Sequence, residues 1–170
     1  MRNEIFLAVL GLVLVTLFCS GCTGNNAEPQ QTITPTPVST SVELHKQGFD
    51  AYVRGENPLA LDLYNQAIAA DPSYTRAWMD KGDVLKRMNR SEEAVAAYDV
   101  VLARQNDLPI VWNSRGESLM ETGNYTAARD SFIKAIQIAS DFEKAKENRD
   151  LAIEKIKEAE QAGAPLDEQV

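Results

Sequence analysis

Beyond Thr23 the sequence has no cysteine: Cys19 and Cys22 are the only two. Neither a disulfide nor a Cys-ligated zinc can therefore hold the folded part together. Histidine is almost as scarce. His45 stands alone, which removes His-His metal sites and leaves a Ser-His-Asp arrangement a single residue to use. Positive charge is in deficit, with 17 Lys and Arg against 25 Asp and Glu and a net charge of -8. Sequence-independent phosphate binding needs a positive footprint, so nucleic acid is not an expected partner. No glycine-rich phosphate loop, active-site carboxylate pair or metal-ligand cluster can be picked out, so neither an enzyme nor a cofactor is expected.

What is present starts with an apolar run. Ile5 to Phe18, "IFLAVLGLVLVTLF", follows Arg2 and gives way to the small residues Ser20 and Gly21. This is the layout of a secretory signal peptide over residues 1–21, whose apolar run of fourteen residues is shorter than the roughly 20 that span a bilayer. The following "CSGCTGN" resembles the lipobox of prokaryotic lipoproteins, with Cys19 where an aliphatic residue is usual. That resemblance implies cleavage before Cys22, a lipid on Cys22 and an extracytoplasmic domain anchored to the cell membrane. An uncleaved amino-terminal anchor and plain secretion remain open as alternatives. Residues 22–40 are rich in Thr, Pro, Asn and Gln, too poor in apolar surface to repay ordering, and are expected to be a disordered linker.

From residue 41 a pattern returns. "WMDKGDVL", beginning at Trp78, comes back 34 residues later as "WNSRGESL" at Trp112. At the same shift Gly48, Gly82 and Gly116 align, as do Ala60, Ala94 and Ala128, the rings Tyr64, Tyr98 and Phe132, and Ile68, Leu102 and Ile136. Leu44 heads the tryptophan column. Fixed-period similarity of this kind marks stacked repeats. Within each copy two apolar sets recur at helical spacing, for example Trp78, Gly82 and Leu85, then Ala94, Val95, Tyr98, Val101 and Leu102, which predicts paired amphipathic helices. Asn57-Pro58, Asp71-Pro72 and Leu108-Pro109 mark helix starts, with Asn57 in the cap position. Gly55, Asn89 and Gly123-Asn124 mark the turns, where a left-handed backbone is wanted. The glycines are expected where helices cross closely, the tryptophans to be buried, and the rings to fill the gap toward the next copy.

The spacing Trp78, Gly82, Leu85, Ala94, Tyr98, repeated at Trp112, Gly116, Leu119, Ala128, Phe132, resembles the tetratricopeptide repeat family, whose signature is W-x2-L-G-x2-Y, A-x3-F, P. Lys81 and Arg115 depart from it where Leu is frequent, Ala51 where the later copies have Leu, and Asn106 and Ser140 where only Pro72 keeps the closing proline. The resemblance implies an all-α fold, an α-solenoid of three helix-turn-helix repeats (41–74, 75–108, 109–142) plus a carboxy-terminal capping helix over 143–161, within a domain of 41–162. In the capping helix Ala145, Leu151, Ala152 and Ile156 form the apolar strip. Residues 163–170 read as a disordered acidic tail.

The family's leading helices line a concave groove that receives a peptide or partner helix. Residues two before and one, two, five and nine after each tryptophan column share the face opposite the tryptophan and glycine. They are Val42, His45, Lys46, Phe49 and Val53, then Arg76, Met79, Asp80, Asp83 and Arg87, then Ile110, Asn113, Ser114, Glu117 and Glu121. Some family members clamp a terminal carboxylate with Lys and Asn, but Phe49, Asp83 and Glu117 replace the asparagine here, which disfavours an acidic chaperone tail. The apolar first copy beside Arg76 and Arg87 suggests a partner with apolar and acidic residues. Two sequons, at Asn89 and Asn124, are candidate glycosylation sites, although turn chemistry explains both asparagines. Two functions follow: a membrane-tethered module binding a protein or peptide in its groove, or a structural subunit or assembly factor of a cell-envelope complex, with self-association as an option.

Overall fold

The computed structural model describes residues 37–163. The expected signal peptide, Cys22, residues 22–36 of the expected linker and residues 164–170 of the expected tail lie outside the described residues. Among the described residues there are seven α-helices and no strand: α1 (Pro37–Val53), α2 (Asn57–Ala70), α3 (Thr75–Arg87), α4 (Ser91–Arg104), α5 (Pro109–Glu121), α6 (Tyr125–Ile138) and α7 (Glu143–Gln161). None of them is long and apolar enough to cross a membrane. The all-α repeat architecture expected from the sequence is the one observed.

Helix ends follow local chemistry. α1 starts at Pro37, inside the segment expected to be linker; proline fits a first helical turn, where its missing N–H has no intrahelical acceptor anyway. The turns within hairpins are left-handed at Gly55 (φ 80°), Asn89 (φ 57°) and Gly123 (φ 82°), as the sequence requires. The second helices of the hairpins stop at the same bend, with Asp71, Gln105 and Ala139 at φ -144°, -143° and -129°. Asp71 then accepts from the Ser73 N–H at 2.9 Å and from its hydroxyl at 2.6 Å, closing the turn that leads into α3. Two start signals shift. Asp71-Pro72 lies in that turn, before α3. Asn57 falls inside α2, with Glu56 at the cap position, and its side-chain oxygen is buried without a partner.

Every helix packs against the next in the chain, and α1 also touches α3, α3 touches α5, and α5 touches α7. Among the described residues α2, α4 and α6 do not touch one another. Leading helices that meet while second helices splay put α1, α3, α5 and α7 on the inner, concave side of the stack.

Inside each hairpin the glycine column meets the ring column. A Cβ placed on Gly82 would stand 2.5 Å from Tyr98 Cε1, and one on Gly48 2.7 Å from Tyr64 Cε1; on Gly116 the atom met is Phe132 Cε1. Tyr64, Tyr98 and Phe132 are fully buried. The rings thus fill the crossing of their own hairpin rather than a gap toward the next copy, because only the missing side chain leaves room for an aromatic edge. Ala60, Ala94 and Ala128, also fully buried, let the paired helices approach.

The tryptophans differ from expectation as well. Trp78 and Trp112 occupy matching niches but are half-buried. Their indole N–H groups donate to the carbonyls of Pro72 (3.1 Å) and Asn106 (2.9 Å), so one backbone oxygen serves both copies whichever side chain it carries. Lys81 and Arg115, the departures from the family signature, lie over these rings, 5.1 and 5.9 Å from the centroids. A cation with a long apolar stem covers the ring where leucine would. In α7, Ala145, Ala152 and Ile156 are buried but Leu151 is 45% exposed, so it does not belong to the inward strip.

Gly82→Ala must displace Tyr98 from a closed core, and overpacking of this kind costs about 1 to 3 kcal/mol. Urea unfolding should show a lowered midpoint with an unchanged slope, and a midpoint equal to that of the unsubstituted chain would refute the contact.

Candidate functional site

The stripe named from the sequence separates into a centre and two edges. About 100° per residue puts the positions two before and five and nine after the tryptophan column in the middle of the inner face. It puts the position one after at the edge facing the following leading helix, and the position two after at the edge facing the preceding one. His45 and Asp80 are such a facing pair, with Nε2 2.7 Å from Asp80 Oδ2. Asn148, not anticipated, faces Asn113 in the same way and donates to its Oδ1 at 3.1 Å.

These edges are closed rather than open to a ligand. Asp80 and Asn113 are buried, and His45 is held further by the Tyr74 hydroxyl, 3.3 Å from Nδ1, and by the Tyr64 ring at 5.4 Å. Three residues expected to contact a partner therefore join helices instead. The physical reason is that an edge position facing another inner helix is covered by it, and a polar side chain there finds its hydrogen-bond partner in the protein. Lys46, at the edge where no described helix precedes, is exposed.

At the centre the acids are engaged from within. Tyr98 donates its hydroxyl to Asp83 Oδ1 at 2.6 Å, and burial pushes the Asp83 carboxyl above its usual range despite that bond. Glu117 is gripped by three helices: Lys86 Nζ at 2.5 Å from Oε2, and Lys144 Nζ at 2.7 Å and Asn113 Nδ2 at 3.0 Å from Oε1. Burial alone would raise its pKa, but the hydrogen bonds and charges of Lys144 and Lys86 outweigh it and hold the group down to about 2. Glu121 accepts from the Ser91 hydroxyl.

The cations keep spare donors. Arg76 gives only Nε to Asp80, at 3.2 Å, with its side chain 57% exposed. Arg87 is exposed and lies over the Tyr52 ring, 4.4 Å from the centroid. Met79 and Ser114 are half-buried. Apolar side chains complete the surface. Of the seven large apolar residues exposed among the described residues, Val42, Phe49, Val53, Ile110 and Leu151 fall on the three central columns, and only Leu59 and Ile138 lie elsewhere. Leu151 could have been found from sequence, because it stands one period beyond Glu117; its membership of a capping helix hid it.

The sequon asparagines have structural work. Asn89 is exposed and takes the left-handed turn, whereas Asn124 caps α6 by accepting from the Ala127 N–H at 3.1 Å.

Because the Glu117 carboxyl titrates lower in the folded chain than its ordinary 4.5, its ion pairs stabilise the fold fully above that value and lose their effect as pH falls toward about 2. Glu117→Gln should lower the urea midpoint at neutral pH, with a gap that narrows on acidification through this window. A gap independent of pH would show that charge is not what the lysines hold.

The sequence pattern of the tetratricopeptide repeat family matches residues 45–109 and 80–143. Human tetratricopeptide repeat protein 7A is 30% identical over 102 residues, covering 60% of this chain and 12% of the relative. The heat-shock cognate co-chaperone sgt12 of Aspergillus fumigatus is 22% identical over 118 residues, 69% of this chain and 35% of the relative. The chain thus spans only a minor part of these relatives' length. Among solved structures, the first TPR of Spaghetti (RPAP3) bound to the HSP90 peptide SRMEEVD superimposes with a TM-score of 0.69 at 13% identity, covering 72% of this chain and 98% of that one. The Sgt2 TPR domain of Aspergillus fumigatus gives 0.67 at 21% identity, covering 81% and 92%. At such identities the structures speak for the fold, and with the family pattern across more than half of the sequence they place this chain in the tetratricopeptide repeat family.

Proposed function

We propose that this protein is a non-catalytic interaction module that receives a segment of a partner protein on the concave face of α1, α3, α5 and α7. One observation carries this: among the described residues, five of the seven exposed large apolar side chains gather on that face. Exposed apolar residues scattered singly mean little, but their alignment on one concave surface marks a binding site. The groove acids are taken up by Tyr98, Lys86, Lys144 and Ser91, while Arg76 and Arg87 retain donors, so the free hydrogen-bonding capacity of an acidic protein is locally cationic. A partner with apolar and acidic residues complements it. Asp83 and Glu117 occupy the centre where a carboxylate clamp would present amides, which argues against the peptide type seen on the Spaghetti domain.

The amino-terminal sequence supports a membrane location for this module. The short apolar run and the Ser20-Gly21-Cys22 junction fit cleavage and lipidation at Cys22, with the Thr- and Pro-rich segment as spacer. One or more acyl chains would hold the domain on the extracytoplasmic side of the membrane, each buried methylene contributing about 0.8 kcal/mol.

Crosslinking in the native membrane should capture a partner that Ile110→Asp with Leu151→Asp abolishes and Asp62→Arg with Lys134→Glu, on the outer helices, leaves intact. The reverse outcome would move the binding surface to the convex side. For the tether, Cys22→Ser should release the chain into the soluble fraction, and unchanged membrane association would replace lipidation by an uncleaved anchor.

A further inference from the structure

Residues that recur at the repeat interval lie at one height on successive leading helices, so the open side chains of the inner face form rows running across the groove. One row consists of the second residues of α3, α5 and α7, which are Arg76, Ile110 and Lys144, with Val42 as their equivalent on α1. All four are open. Val42 is 47% and Ile110 68% exposed, and the side chains of Arg76 and Lys144 are 57% and 64% exposed. α7 keeps the register of the repeats, since its Asn148 meets Asn113 in the way that Asp80 meets His45. Apolar and cationic side chains therefore alternate from helix to helix, a pattern that no single repeat contains.

We propose, building on the groove reading, that this row binds a polyproline II segment of a partner protein in which apolar and acidic residues alternate at every third position. Helices in contact stand about 8 to 10 Å apart. A polyproline II chain has three residues per turn and rises about 3.1 Å per residue, so every third residue returns to one face about 9.3 Å further on. The two intervals agree. A β-strand turns residues three apart to opposite faces, and an α-helix would need a straight rod of about 22 residues and about 32 Å laid against a concave surface. Charge sets the phase. Arg76 gives only Nε to Asp80, and Lys144, one of whose three N–H groups goes to Glu117, shares that acid with Lys86. Both cations therefore face the groove with donors for an acid. The neighbouring row, Phe49, Asp83, Glu117 and Leu151, offers an acidic residue nothing comparable, because its own acids already occupy Tyr98 and the lysines.

The test uses the full chain and proline-rich peptides long enough to cross the row, with leucine and glutamate alternating at every third position, made in both chain directions. The better direction should bind at least about tenfold more tightly than peptides of the same composition that alternate at every second or every fourth position. Ile110→Ala should weaken it about tenfold, with a thermal melt that matches the unsubstituted chain because the side chain is exposed. Arg76→Glu should reverse the choice between this peptide and one carrying lysine in place of the inner glutamate, the one that faces α3. A reversed choice requires a folded groove, so it is readable even if Arg76→Glu melts earlier. Absent binding, equal affinity for all spacings, or an unchanged charge preference in Arg76→Glu would overturn the proposal. So would tighter binding by a stapled helix with the same residues at every seventh position, which would give the row to a helix. If these tests fail while Ile110→Asp with Leu151→Asp still abolishes partner capture, the groove stands and only the polyproline occupant falls.

Discussion

An aromatic ring edge lodged in the place of a missing side chain is the contact on which every hairpin depends. Gly48 with Tyr64, Gly82 with Tyr98 and Gly116 with Phe132 bring two helices closer than any Cβ would permit. The contact fixes the crossing of each pair, and because it recurs at a constant interval the crossings are alike and the hairpins stack in register. The buried alanines and the tryptophan-to-carbonyl hydrogen bonds presuppose that geometry. A leucine or valine at the glycine would lose all three together.

Stacking sorts the polar groups in turn. Edge positions of the leading helices meet across each repeat boundary, and there His45 meets Asp80 and Asn148 meets Asn113. Buried polar atoms are tolerated because they are paired, and the pairing sets the spacing of the inner helices. The ring column carries an exception that follows from one substitution. Tyr98 gives its hydroxyl to Asp83, but the corresponding position opposite Tyr64 is Phe49, and the Tyr64 hydroxyl is buried without a partner. The first repeat gives up a hydrogen bond and gains an exposed apolar ring on the inner face. Such a trade suits a surface that acts on something outside itself.

Much of this was legible in the residues. The left-handed turns at Gly55, Asn89 and Gly123 follow from backbone freedom that only glycine and asparagine supply readily. The inner stripe followed from helical spacing, and Arg76, Arg87, Phe49 and Val53 lie open on it. Asp80 and Asn113 share that stripe and are covered; Leu151, which its spacing among Ala145, Ala152 and Ile156 assigns to the core, is open. The tryptophans, the largest apolar side chains present, are only half-buried, with cations from the same helix lying over their rings. Each discrepancy concerns what lies across from a side chain.

The order of residues along this chain determined the period, the pairing of helices within it and the angle at which each side chain leaves its own axis, since these depend on local sterics and on 3.6 residues per turn. Only the tertiary structure decided which of those angles point at water. Whether an edge residue is open depends on a neighbouring helix whose position is set by packing some 34 residues away. For that reason Lys46 and Asp80, identical in register, end as an exposed cation and a buried acid.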